Sequence, residues 1–332
     1  LVVFFINALL TLIVVMAFNQ WLRSQLITEA DNALLVNATQ VADRIDEFNR
    51  SNQQVFNAGS RLPDLVGFLL ADEALRQNPD FQKRVRITLD TLEVEPWDEY
   101  YILSQALIDP DGRNIMDTAT ENIGADESGQ EYFRAALLGG AITISPLQFR
   151  PDRGGIYFYY AVPLRDDDPP NSVIGVLRIQ MSVSSVQNVV FDSVRGHDLN
   201  VSIFNENHVR VIDTRRDDLL FRSIATYSPE QIAALKSQYA LPPLADQEVS
   251  VPLPDLVKTL VNTHQDRVVS GFTAPDAEGE ERLAIVRLDT LPWTLIVSQP
   301  SDQYYGPVQQ QTRGLLVLMT ALVLVALLSS YL

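Results

Sequence analysis

Hydrophobic and polar positions divide the chain into stretches of different period. At the two ends polarity disappears: residues 1–18 (LVVFFINALLTLIVVMAF) and 314–332 (GLLVLMTALVLVALLSSYL) carry no charged side chain. A hydrocarbon core of ~30 Å is crossed by roughly 17–25 apolar helical residues, and a helix satisfies its own backbone there, so each end predicts a membrane span. An anchor is expected at the start in preference to a cleavable signal peptide. No basic segment precedes the apolar run, and no small-x-small site follows Phe18. The chain continues instead through Trp21, a residue suited to the membrane interface, and Arg23. Ile27, Leu34, Val41, Phe48 and Val55 then recur every seventh position, with Ala30, Ala38 and Ile45 on the same stripe. No Pro or Gly interrupts residues 19–57, which predicts a helix of roughly 39 residues reaching about 58 Å. Its stripe packs on the chain's own sheets or, in addition, on a second copy in a parallel dimer.

Arg61-Leu62-Pro63-Asp64 ends that helix, and two shorter ones are predicted near 64–76 and 79–92, the second with Pro79 at its first position. From Tyr100 the period becomes strand-like. Ala106-Leu107-Ile108 leads into the turn Asp109-Pro110-Asp111-Gly112, and residues 113–118 return as the second strand of a hairpin. A short helix over 128–138 and strands over 142–149, 156–164 and 173–181 follow. The pattern then recurs: residues 201–214 read as strand, polar turn and strand, and Asp213-Thr214 repeats Asp117-Thr118 at an offset of 96 residues. Ser228-Pro229-Glu230-Gln231 carries an N-cap, a first-position proline and a capping-box glutamine. A short helix after the Pro-dotted stretch 241–254, strands over 267–274 and 282–289, and Trp293-Thr294-Leu295-Ile296-Val297 complete the pattern. The fold class is therefore α+β: two related modules, each an antiparallel sheet with flanking helices, over 61–196 and 197–301.

Composition sharpens this picture. All 25 basic and 42 acidic residues lie between the two apolar ends, giving that region the whole net charge of −17. Such an excess disfavours nucleic acid and anionic lipid as partners. The absence of cysteine is compatible with an exposed compartment. No metal-ligand spacing links His197, His208 and His264, and no phosphate loop, nucleophile elbow or zincin motif is present. Neither a catalytic site, a metal nor a cofactor is expected. Asp109-Pro-Asp-Gly lacks the later ligands of a calcium loop and reads as a turn.

The layout resembles a double Cache sensor, in which two PAS-like modules stack along a long helix between membrane spans. The resemblance covers residues 20 to about 313. It rests on Leu107-Ile-Asp-Pro-Asp-Gly-Arg, Tyr132-Phe-Arg-Ala-Ala-Leu and Ile144-Ser-Pro-Leu, then Tyr160-Ala-Val-Pro-Leu with Ile174-Gly-Val-Leu-Arg-Ile, and Leu291-Pro-Trp-Thr-Leu-Ile-Val. It implies a first span at 1–19, a stalk at 20–60, a membrane-distal module at 61–196 and a membrane-proximal one at 197–301. A connector at 302–313 and a second span at 314–332 follow. It also implies that the distal module holds the ligand. Amino-acid receptors of this family carry an Arg before an aromatic pair and an Asp on the last distal strand. Those positions correspond here to Gln130, Tyr132-Phe133 and Gln180. Amides in place of both charges point away from a free amino acid and toward a neutral or singly charged metabolite.

Tyr157 and Tyr159 share one face of their strand, suited either to a ligand pocket or to a sheet face covered by a helix. Tyr101 and Asp117 are expected to face the same space. Arg134, Arg150 and Arg153 are candidate anion partners, and Arg178 is expected to face solvent because an unpaired buried cation is costly. The candidate ligand-binding set is thus Tyr101, Asp117, Gln130, Tyr132, Phe133, Arg134, Tyr157, Tyr159 and Gln180. The function expected is the sensing region of a two-pass receptor in a bacterial plasma membrane, residues 20–313 periplasmic or extracellular, forming a homodimer. Its output domain (histidine kinase, nucleotide cyclase or chemotaxis module) is expected beyond the chain. The alternatives are a membrane-tethered protein-interaction module without a small ligand and a membrane-tethered hydrolase.

Overall fold

The computed structural model describes residues 2–92, 101–151, 155–166, 172–196, 199–262, 265–272 and 280–300, with isolated positions at 314, 317, 320 and 321. Its first element is one continuous helix, α1 (Val2–Gly59), so the stalk and the apolar run before it share a single backbone path. Among the described residues no helix is long and apolar enough to cross a membrane. The side chains of residues 2–12 and most of 314–332 lie outside them. The buried face of α1 runs Leu34, Ala38, Val41 with Ala42, Ile45 with Asp46, Asn49, Asn52 and Phe56, each helical turn three or four residues beyond the last. Phe48 and Val55, on the seven-residue stripe, are only half-buried. A straight helix drifts about 20° per heptad, and the core side rotates from the Val41 line to the Ile45–Asn49–Asn52–Phe56 line. The stripe thus packs on the chain's own sheets.

Three short helices follow: α2 (Pro63–Leu70), α3 (Glu73–Arg76) and α4 (Pro79–Asp90). The single helix expected over 64–76 is split because Asp72 caps α3, accepting from the Leu75 N–H at 2.8 Å. Asn78 caps α4, with Pro79 at its first position.

The first sheet contains β1 (Ile102–Ile108), β2 (Asn114–Asp117), β3 (Thr143–Ile144), β4 (Gln148–Arg150), β5 (Gly155–Asp166) and β6 (Ser172–Ser182). All its pairs are antiparallel, in the order β2-β1-β6-β5-β3, with β4 also on β5. The strand expected over 142–149 is broken around Pro146, which cannot donate to a ladder. Between β2 and β3 lies α5 (Glu131–Gly139). A helix with no counterpart in the sequence reading, α6 (Ser184–Val194), follows β6. Its valines at 186, 189, 190 and 194 are spaced for a helix but are β-branched, which lowers local helix propensity. Packing against α1 decides the matter.

The second sheet contains β7 (Asn200–Phe204), β8 (Arg210–Asp213), β9 (Arg267–Phe272), β10 (Glu281–Arg287) and β11 (Thr294–Pro300), ordered β8-β7-β11-β10-β9. Helices α7 (Pro229–Ser237), opened by the complete Ser228–Gln231 capping box, and α8 (Pro254–Asn262) flank it. With β4 set aside, the two sheets have the same strand order. Their hairpins match in register, Ala106 opposite Asp117 and Ser202 opposite Asp213. Asp109 Oδ1 accepts from the N–H groups of Asp111 and Arg113, and Asn205 Oδ1 does the same with Asn207 and Val209. Asp109-Pro-Asp-Gly is therefore a side-chain-locked turn, and the repeat extends to individual hydrogen bonds.

One hydrophobic core joins α1, α2, α4 and α6 to a face of each sheet. The opposite face of the first sheet is covered by α5, and that of the second by α8.

Candidate ligand-binding site

The register of the first sheet places a row of polar side chains on the face under α5. Tyr159 lies opposite Gln180, and Gln180 opposite Ser104; Ala161, Arg178, Ala106 and Asp117 form the next row across four strands. Alternate residues of a strand share a face, so Tyr157, Tyr159, Arg178 and Gln180 point the same way. Phe158 and Tyr160 point toward α1 and join its core. Helix α5 lays Tyr132, Phe133 and Ala136 over this face, where they pack with Tyr157, Tyr159, Ile108 and Val176. The Tyr132 and Tyr159 ring centres are 4.6 Å apart, and those of Tyr157 and Tyr159 5.2 Å.

Arg178 organises the site. It is 1% exposed, in contrast to the solvent-facing position expected from sequence. Its Nη1 donates to Glu127 Oε1 at 2.6 Å, and its Nη2 to Asp117 Oδ2 at 2.6 Å and Ser104 Oγ at 2.8 Å. The guanidinium lies 5.2 Å from the Tyr159 ring centre. Asn114 Nδ2 donates to both carboxylates, Ala119 N–H to Asp117 Oδ1, and the Tyr132 hydroxyl to Glu127 Oε2. Gln180 joins through Ser104, whose hydroxyl donates to its Oε1. A buried cation is tolerated only when paired and hydrogen-bonded. Burial works against the Arg178 charge, but Glu127 and Asp117 outweigh it and hold the guanidinium charged well above its ordinary range. Burial, and then Glu127, push the Tyr132 phenol far up, and burial does the same for Tyr159, so both phenols stay neutral.

The structure brings Asp117, Tyr132, Phe133, Tyr157, Tyr159 and Gln180 together. Gln130, at the N-cap of α5, and Arg134, whose Nε donates to the Ser128 carbonyl, are exposed. Tyr101 packs against the α1-side core. Arg150 stacks over Tyr239, 4.2 Å from its ring centre, while Arg153, His197 and His264 lie outside the described residues. Sequence reasoning passed over Glu127, Ser104 and Asn114. One signal was present: Arg178 shares strand parity with Gln180 in an otherwise apolar run, and such a cation requires acids nearby. Among the described residues no cluster of three or more metal-ligating side chains occurs.

Two stacked antiparallel modules behind one long helix invite comparison with known proteins. The family model dCache_1, described as a Cache domain, matches residues 18–308. The chain belongs to this double Cache family. The match takes in both sheets of the Cache protein and most of α1. Comparison with curated protein sequences returns no match. Among solved structures, the sensor domain of the V. cholerae histidine kinase DctB is similar at 17% identity and a TM-score of 0.56, over 81% of this chain and 98% of that one. The ligand-binding domain of the Campylobacter jejuni chemoreceptor Tlp3 in complex with L-norvaline is similar at 14% identity and a TM-score of 0.56, over 84% and 94%. The Tlp3 sensory domain with isoleucine bound gives 15% identity and a TM-score of 0.55, over 86% and 98%. At these identities the likeness is one of fold.

Proposed function

We propose that this Cache protein is the extracytoplasmic ligand-sensing region of a two-pass receptor in a bacterial plasma membrane. Residues 61–196 form its membrane-distal module and 197–301 its proximal one. Residues 1–19 and 314–332 are its spans, joined through the stalk 20–60 and the connector 302–313. Residues 20–313 lie outside the cytoplasm, and the receptor signals as a homodimer. The output is a histidine kinase, a nucleotide cyclase or a chemotaxis module. The fold shared with sensor domains of a histidine kinase and of a chemoreceptor supports this reading.

The ligand site is the face under α5, and the observation that carries it is the aromatic cover over a buried charge cluster. One guanidinium stands against two carboxylates there, Asp117 and Glu127, so the cluster carries an excess negative charge. It favours a neutral or singly positive ligand over an anion, and Tyr132, Tyr157 and Tyr159 offer ring faces to such a group. Tyr159 and Tyr160 are neighbours on β5 facing opposite sides. The Tyr160 hydroxyl donates to Asn49 Oδ1 at 2.6 Å, and Asn49 Nδ2 donates to Thr290 Oγ1 at 2.8 Å. Asp46 accepts from the N–H groups of Asp289 and Thr290. Movement of β5 on ligand binding therefore has a polar path through α1 to the β10–β11 turn and on toward the connector. A ligand shifts this equilibrium only by its differential affinity for the two states.

The test is a thermal-shift screen of the full chain against small metabolites. A ligand at 100 times its Kd adds about 2.7 kcal/mol. Tyr132→Ala and Tyr159→Ala are expected to abolish that gain, and retention in both removes the face under α5 as the site.

A further inference from the structure

A cavity of about 460 Å³ opens beside the second sheet, between the end of α8, the β7–β8 turn and the β10–β11 turn. Small-molecule sites are commonly of about this size, from roughly 300 to 1,000 Å³. Its apolar wall includes Phe204, Leu291 and Trp293, all buried. Asn205, His208 and Arg287 line it as polar groups.

Three features mark these polar groups as more than packing. Asn205 is 5% exposed, and its Oδ1 is fixed by the N–H groups of Asn207 and Val209. The orientation of the amide is therefore set, and its Nδ2 is a buried donor with no hydrogen-bond partner among the described residues. A buried unpaired donor is uncommon and calls for an acceptor. His208 adopts a left-handed backbone conformation, φ 54°, at the position its repeat partner Gly112 fills with φ 88°. The two residues make the same turn bond, to Asn205 O and Asp109 O respectively. Glycine takes that conformation without strain, whereas histidine does not, and strain of this kind persists at sites of function. Arg287, at the exposed mouth, donates from Nη2 to the Leu260 carbonyl at 3.3 Å, and a guanidinium has five N–H donors.

We propose that this cavity is a second binding site, for a small carboxylate carrying an apolar or aromatic body. The carboxylate is held by Arg287 and Asn205 with His208 beside them, and the body lies on Trp293, Leu291 and Phe204. Glu206 also lines the cavity, with burial holding its carboxyl above the ordinary range, so a second acid group on the ligand is disfavoured there. The wall from Leu288 to Thr294 belongs to the turn that Asp46 and Asn49 grip from α1. A ligand here therefore acts directly on the far end of the path from the first sheet. The site stands independently of the one under α5.

The experiment uses the full chain with Trp21→Phe and Trp97→Phe, so that Trp293 is the sole remaining tryptophan of the three. Phenylacetate and hexanoate are titrated, with 2-phenylethanol as the uncharged counterpart. A saturable change in Trp293 fluorescence is expected with the acids, at least about tenfold weaker with the alcohol, and weakened at least about tenfold by Arg287→Leu. His208→Gly should weaken binding while leaving the melting temperature unchanged or higher, a pairing that a purely structural role would not give. Tyr159→Ala should leave the response intact. No saturable change with either acid up to about 10 mM, a response insensitive to Arg287→Leu, or one lost in Tyr159→Ala would each overturn the proposal.

Discussion

Arg178 shows how one side chain organises a whole face of the first sheet. Its fork reaches Glu127, in the loop before α5, and Asp117, on β2, so it ties the cover to the strands. Removing it leaves two carboxylates buried without their cation, and breaking such a pair typically costs about 3–5 kcal/mol. Arg178→Met is therefore expected to lower the unfolding free energy from urea titration by an amount of that order, with a corresponding fall in the midpoint. Arg178→Lys keeps the charge but loses the two-pronged geometry and should recover only part of the loss. A midpoint unchanged in Arg178→Met would contradict the assigned pairing. The face of Arg178 could be inferred from its parity with Gln180, but its burial could not. The acids that permit it sit 61 and 51 residues earlier in the chain, and only the fold brings them close.

At the scale of elements, α1 carries an unusual seam. Amid an apolar face, Asp46, Asn49 and Asn52 are all buried, and each points to a partner on another element. Asn52 Nδ2 reaches the Tyr160 hydroxyl at 3.4 Å, Asn49 bridges Tyr160 and Thr290, and Asp46 holds the β10–β11 turn. Farther along, Arg282 of β10 grips Asp31 with two hydrogen bonds. If the seam relays the signal, ligand bound under α5 should slow amide exchange not only in α5 but also in residues 288–293. Asn49→Leu should preserve the first effect and remove the second. Equal protection of the turn in wild type and Asn49→Leu would show that the coupling takes another route. The helix itself was legible from its uninterrupted seven-residue stripe. That its polar residues at 49 and 52 face inward was not, because periodicity records only where apolar residues lie.

For the whole molecule, burial of phenols links the stability of both cores to pH. Burial pushes Tyr132, Tyr159 and Tyr160 up from the ordinary value of about 10, and Tyr227 in the second module rises for the same leading reason. The folded chain keeps these protons when the unfolded chain releases them. Their contribution is complete below about pH 10 and is lost as the pH rises through and beyond that value. Ultraviolet difference absorbance should show the exposed tyrosines ionising first and these four only with unfolding. A single step near pH 10 for every tyrosine, with the fold intact, would refute their burial. The same duplication gives the two halves different interiors. Ile296 stands opposite Ser202 where Arg178 stands opposite Ala106, so the buried acid Asp213 is paired by Arg210 of its own strand, whereas its repeat partner Asp117 is paired from β6 by Arg178.

By itself the sequence determined what depends on neighbours along the chain. It specified the stalk helix, the capped starts of α4 and α7, the locked hairpin turns, the duplication at an offset of 96 residues and the double Cache layout. These follow from backbone preference and short-range hydrogen bonds, which a local window contains. Tertiary structure alone decided which strand faces meet α1 and which meet α5, whether Val186–Val194 is helix or strand, and where the charges of the candidate site lie. Those choices turn on burial and on partners dozens of residues apart. The energy of a buried ion pair or an inward-facing asparagine exists only once the elements are packed together.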